Sequence, residues 1–309
     1  MKSVFPIAGI QMGITFGQDN VPKMEAKLAA LMHRFPWVEM VFFSELASHG
    51  ASLAHAQVLP GPWEEKFQQL AAQHKIWLIP GSVFEKVGEQ IYNTAPVIAP
   101  DGTVIARYRK MFPFRPYEQG VTAGSEFCIF DIPDVGRFGL VICYDLWFPE
   151  VARTLTAMGA EVILRPALTD TIDRDVELAI SRATAAQNQC FIFDLNGCWS
   201  GGNGRSIVVR PTGTVLHEAS SVEEFIPVDI DLATARRVRE TGMFGLGQVL
   251  KSFRDREVEF DVYRRESGQA AYLDTLGPLV VPSRRIRADE DPAAAAGIPA
   301  PGVPVKESE

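Results

Sequence analysis

The sequence predicts an α/β protein, a four-layer α-β-β-α sandwich built from two similar β-α-β-α-β-β halves. Three observations lead there: short apolar runs alternate with stretches of helical period, the same order recurs in both halves, and no Pro/Gly-rich linker separates them. With 309 residues and 47% apolar composition, the chain has ample material for a buried core.

The first half opens with an apolar run ending at Met12, followed by a helix from Asn20 with Met24, Leu28 and Leu31 on one face. Asn20 is the expected N-cap, and Pro22 suits the first turn. Trp37 to Phe43 reads as a buried strand, and Trp63, Phe67, Leu70 and Ala71 mark a second helix after Pro62. Strands are expected at Ile76 to Phe84, Ile91 to Ile98 and Thr103 to Tyr108, the last two joined through Asp101-Gly102. In the second half, Phe138 to Ile142 reads as a strand, Phe148 to Met158 as a helix, Glu161 to Leu164 as a strand and Asp173 to Gln187 as a helix. Cys190 to Leu195 follows as a strand, then a hairpin of Arg205 to Val209 with Thr214 to Leu216, and a final strand ending near Ile230. These elements define a domain over 1–281. The Ala- and Pro-rich stretch 282–309 is expected to be a tail, too poor in apolar anchors to fold alone.

A formal charge of -8 and the lack of a dense Lys/Arg stripe argue against nucleic acid and anionic membrane surfaces as partners. No segment approaches a membrane span, and the first residues have neither a long apolar run nor a small-residue cleavage site. Cys128, Cys143, Cys190 and Cys198 form no CxxC pair, which suits reduced thiols in the cytoplasm. The five histidines never adopt HExxH or HxxxH spacing, so no metal site is expected. Further copies of the chain, in a homo-oligomer, are the macromolecular partners expected.

Chemistry gathers at the ends of three strands. Gly139 to Ile142 is an apolar run that stops at Cys143 and turns into a helix-start pattern, placing the thiol at a strand-to-helix elbow. Carboxyl ends of strands open onto the crevice where α/β proteins bind ligands, and a helix N-terminus favours thiolate. A cysteine after Val-Ile taken alone is more often core filler. Glu45 and Lys110, however, each stand just past an apolar strand, so three groups converge on one edge. A carboxylate beside a thiol can take its proton, and an ammonium favours thiolate and stabilises an oxyanion. The blander alternatives are a loop carboxylate at Glu45 and a solvated cation in the run Arg107 to Lys110.

The segments Cys143-Tyr144-Asp145-Leu146-Trp147-Phe148-Pro149-Glu150, Tyr108-Arg109-Lys110 and Ser44-Glu45-Leu46 resemble the three signature segments of the nitrilase superfamily of carbon–nitrogen hydrolases. The likeness runs through about the first 260 residues. It implies the α-β-β-α fold, the base, oxyanion-stabilising and nucleophile roles for Glu45, Lys110 and Cys143, and a lysine-holding role for Glu118. Ser44 stands where the family usually has Pro, and Ala47-Ser48-His49-Gly50 replaces a common Gly-Tyr/Phe ending, which bears on pocket shape. Tyr144-Asp145 is similar to the amidase branches rather than to the Cys-Trp-Glu of nitrilases. The paired arginines of D-amino-acid carbamoylases are absent, Leu146-Trp147 standing there.

For the substrate pocket the expected residues are Tyr144, Trp147, Arg165 and Ala167. Arg165 ends the strand beside the nucleophile strand and is expected to read an anionic or carbonyl group on the acyl side, its alternative being an ion pair with Asp170 or Asp173. Trp147 would wall the acyl pocket, and His49 and His55 could line its mouth. Gly197 to Gly204 lacks GxGxxG spacing and a following helix, so it is not a nucleotide loop. The expected reaction is amide hydrolysis through a thioester, with Lys110 and the Tyr144 backbone N–H at the oxyanion. No cofactor is needed, because the covalent step and the ammonium supply what a Lewis acid would. Rival readings are an N-carbamoyl hydrolase, a nitrilase, acyl transfer to another amine, and a scaffold that keeps the fold without catalysis.

Overall fold

The computed structural model describes residues 2–264 and 271–280; the expected tail from 282 lies outside the described residues. The first half runs β1 (Val4–Gln11), β2 (Gly13–Ile14), α1 (Val21–Arg34), β3 (Met40–Phe43), α2 (Pro62–His74), β4 (Trp77–Ile79), β5 (Val83–Val87), β6 (Gln90–Ile98) and β7 (Val104–Arg109). The second runs β8 (Cys128–Ile132), β9 (Gly136–Leu140), α3 (Pro149–Ala157), β10 (Val162–Ala167), α4 (Arg174–Asn188), β11 (Phe191–Asn196), β12 (Cys198–Trp199), β13 (Ile207–Val209) and β14 (Val215–Glu218). β15 (Glu224–Asp231), α5 (Leu232–Thr241), α6 (Val249–Arg254) and α7 (Ala271–Asp274) follow.

Two sheets stack face to face. One has the order β15-β1-β3-β4-β6-β5 with β7 on the other edge of β6, and the second has the order β14-β13-β11-β10-β9-β8. The layer between them is buried and aromatic: Phe42 meets Phe193 edge to face at 4.7 Å, and Phe5 meets Phe138 at 5.7 Å. Outside the first sheet, Met24, Leu28 and Leu31 of α1 and Trp63, Phe67 and Leu70 of α2 cover Ala8, Ile10, Val41 and Phe43. Outside the second, Val151 and Leu155 of α3 and Leu178 and Ala185 of α4 cover Val141, Ile163 and Ile192. The central strands are buried on both faces, alternate residues such as Met40 and Phe42 against Val41 and Phe43 dividing between the inter-sheet layer and the helix layer, and 3.6-period burial on the helices completes the four layers. Among the described residues no helix is long and apolar enough to cross a membrane.

Several expectations need correction. Asn20 occupies the N-cap position, but its side chain caps nothing: it accepts from the Thr15 N–H and donates to the carbonyls of Thr15, Gln18 and Ser48, pinning the preceding loop. Trp37 is not in a strand; Pro36 ends the helical run, and the indole lies 47% exposed against Phe35. The strand expected over Ile76 to Phe84 breaks at Pro80-Gly81. Gly81 has φ 77°, and a Cβ there would meet the Ser44 carbonyl oxygen at 2.0 Å, so only glycine lets the chain pass beside the loop that carries Glu45. The final strand leaves the second half to pair antiparallel with β1, Val4 opposite Asp231 through Gln11 opposite Glu224. The two halves are therefore not self-contained repeats.

Candidate active site

Glu45, Lys110 and Cys143 meet at one edge of the sandwich, each just beyond a strand. β3 ends at Phe43, and the Glu45 N–H donates to the Ala167 carbonyl at the end of β10, 3.2 Å away. Lys110 follows β7 and is only 1% exposed. Its Nζ donates to Glu45 Oε1 and to Glu118 Oε2, both at 2.9 Å. Glu118 also accepts from the Phe114 N–H. Asn93 Nδ2 supplies Glu45 Oε1 with a second donor at 2.8 Å.

β9 ends at Leu140, and Cys143 begins a 3₁₀ turn through Trp147 with φ 46°. A β-carbon in that left-handed region costs of order 1–3 kcal/mol, and the surroundings hold it there. Asp145, fully buried, accepts from the Ile142 N–H at 2.9 Å, the Phe112 N–H at 2.8 Å and the Tyr108 hydroxyl at 2.7 Å. One carboxylate thus ties the nucleophile turn to the strand that delivers Lys110. Burial pushes its carboxyl up to about 6 despite those donors. From the other side, Arg165 Nε donates to the Cys143 carbonyl at 2.8 Å.

The electrostatics favour a protonated resting thiol. Burial, then the Glu45 carboxylate, push Cys143 well above the usual thiol range, and Lys110 only partly opposes them. The Lys110 ammonium does pull the thiol toward thiolate, but burial outweighs it. Burial also raises Glu45, against the pull of Lys110 and with help from Glu118. Burial alone would lower the Lys110 ammonium, but Glu45, Cys143 and Glu118 raise it above its ordinary value, so it stays charged. A carboxylate with heightened basicity thus stands beside a thiol that needs a base.

The trio opens onto a cleft of about 580 Å³ lined by Leu46, Phe114, Tyr144, Trp147, Leu168 and Ile172, with Glu118, Asp170, Asp173 and Glu177 among its polar groups. Tyr144 and Trp147 are among its lining residues. Arg165 is not: it is 1% exposed and wholly engaged, Nη1 with Asp194 at 2.6 Å and Nη2 with Glu177 at 2.5 Å. Neither Asp170 nor Asp173 is its partner, and all three guanidinium nitrogens already donate to protein acceptors. Ala167 is likewise turned into the core between the sheets. His49 and His55 stack on each other at 5.0 Å outside the lining. Among the described residues no cluster of three or more His, Cys, Asp or Glu side chains is arranged to hold a metal ion.

Sequence reasoning missed Asn93, Asp145 and Glu177. Asp145 carried a readable signal, an acidic residue two positions after the cysteine at a turn start, where it can accept from backbone N–H groups. Asn93 lies mid-strand, and no spacing rule marks it.

Comparison with known proteins bears on the whole arrangement. A family model described as carbon-nitrogen hydrolase matches residues 7–240. The chain is 30% identical over 205 residues to omega-amidase NIT2 of Pongo abelii, covering 60% of this chain and 72% of that one. It is 29% identical over 247 residues to 2-oxoglutaramate amidase of Bacillus subtilis (strain 168), covering 76% and 94%. The crystal structure of a carbon-nitrogen hydrolase from Helicobacter pylori G27 superposes with a TM-score of 0.72 at 25% identity, covering 85% of this chain and 99% of that one. With a match that begins in β1, ends in α5 and takes in Glu45, Lys110 and Cys143, the chain belongs to the carbon-nitrogen hydrolase family, within the nitrilase superfamily.

Proposed function

We propose that the protein hydrolyses the C–N bond of small amides, with Cys143 as nucleophile, Glu45 as general base and acid, Lys110 as oxyanion stabiliser and Glu118 holding the lysine. The observation that carries this is Lys110 bridging Glu45 and Glu118 at 2.9 Å each, beside a buried thiol on a strained turn. Amide hydrolysis is also what the names of the omega-amidase and 2-oxoglutaramate amidase relatives share.

In the first step Glu45 takes the thiol proton as Sγ attacks the carbonyl carbon, and the oxyanion is met by the Lys110 ammonium and the Tyr144 N–H. Collapse breaks the C–N bond, and Glu45 returns the proton to the departing nitrogen. Water, deprotonated by Glu45, then attacks the thioester; sulfur leaves and is reprotonated, so one amide and one water give one acid and one ammonia. The same proposal covers a cytoplasmic location, supported by four buried free thiols, and a homo-oligomer, supported by exposed apolar side chains such as Val176, Phe244 and Leu246.

Ammonia release from a panel of small amides tests the reading. Cys143→Ala is expected to lose about 10⁴-fold or more in kcat with an unchanged thermal melt. Wild-type turnover in that variant would remove the cysteine from the mechanism.

A further inference from the structure

The charge of the cleft selects the acyl group. A substrate carboxylate that enters a partly desolvated cleft needs a cation with free donors. Among the described residues lining this cleft, Lys110 is the only basic one, and both Glu45 and Glu118 already engage it. Arg165, the nearest guanidinium behind the wall, spends Nε on the Cys143 carbonyl and its two amino groups on Asp194 and Glu177. Arg174 gives its two amino groups to Glu177, Asp194 and the Arg205 carbonyl; its Nε is buried without a partner, and the residue does not line the cleft. At the mouth stand Asp170 and Asp173; Asp173 accepts from the Thr171 hydroxyl, and among the described residues neither aspartate has a basic partner. The walls between mouth and thiol are the apolar faces of Leu46, Phe114, Tyr144, Trp147 and Leu168.

We infer that the substrate's acyl group is uncharged and apolar, and that Asp170 and Asp173 exclude amides whose acyl chain ends in a carboxylate. This rests on the amide-hydrolase reading above. Apolar walls bury the chain by the hydrophobic effect. An anionic chain end gains no ion pair, loses hydration and faces two like charges, in a protein whose formal charge is already -8.

The test compares pentanamide with succinamate, two amides of similar length that differ in a terminal carboxylate. Ammonia release by the wild-type protein at low ionic strength is expected to give a kcat/KM about 100-fold or more higher for pentanamide. The double variant Asp170→Asn, Asp173→Asn is expected to narrow that ratio at least severalfold. Binding of both amides to Cys143→Ala, measured by calorimetry, separates the two levels of the argument. Preferential binding of pentanamide without turnover in the wild type would overturn the hydrolase reading and leave the selection by charge standing. Turnover of both amides with equal kcat/KM, a preference for succinamate, or a ratio unmoved by the double variant would overturn the selection by charge. Binding of neither amide together with no turnover would overturn both.

Discussion

In the proposed mechanism Glu45 carries the greatest chemical load of any side chain in the site, since there it accepts, returns and again accepts a proton. Burial raises its pKa above the ordinary carboxylate value of 4.5, while Lys110 pulls it down. The base must be ionised, so kcat/KM is expected to fall as pH drops, with an apparent pKa above 4.5 on the acid limb. Lys110→Ala removes the downward pull, so the acid limb should shift to higher pH in addition to a drop in rate of about 100-fold or more from the lost oxyanion contact. Glu45→Gln should lose the limb along with most of the activity. An acid limb that stays put in Lys110→Ala would mean that another group titrates there. Glu45, Lys110 and Cys143 could be singled out in the sequence because each stands just past a strand, at the edge where α/β proteins open onto a crevice. Arg165 looked the same and was misread. Nothing local reveals that Glu177, on a helix, and Asp194, on the next strand, close on its guanidinium and leave it no free face.

Among the elements, the 3₁₀ turn Cys143–Trp147 is held in place largely by one side chain. Asp145 accepts three hydrogen bonds, two of them at Oδ2. In Asp145→Asn, whichever way the amide is turned, an NH₂ group faces at least one donor, and a buried donor left unpaired costs about 1–3 kcal/mol. The variant is expected to lose several degrees in Tm and about tenfold or more in kcat, because the positive-φ cysteine and the strand bearing Lys110 are both released. A melt within one degree of wild type and full activity would show that the turn is held by its other contacts, chiefly Arg165. Elements of regular period were legible to within a few residues; α2, with Trp63, Phe67 and Leu70 at three- and four-residue spacing, is the plainest case. β8 was not, since five residues that alternate only partly and turn back through Asp134 at φ 61° give too short a pattern to separate from a loop. α5 was missed although Asp231 caps it through the Ala233 N–H, a signal the sequence does display.

At the scale of the molecule, stability resides in the layer between the sheets. Phe193→Ala removes the partner of Phe42 and leaves a cavity where neither sheet can collapse, so a loss of about 3–5 kcal/mol in unfolding free energy is expected from urea titration. A loss below about 1 kcal/mol would mean that the two sheets do not depend on that contact. The sandwich itself was legible from the recurrence of order in the two halves, but its closure was not, because no local pattern tells a last strand to return to the first. The pairing of β15 with β1 along all eight of its register positions carries a consequence for synthesis. On a ribosome β1 emerges first of the fifteen strands among the described residues and β15 last of them, an interval of roughly ten to forty seconds. Throughout it, one edge of β1 offers its N–H and C=O groups to any extended chain nearby. The nascent molecule therefore remains adhesive until its last strand arrives, and a stall or truncation before Glu224 leaves it so permanently.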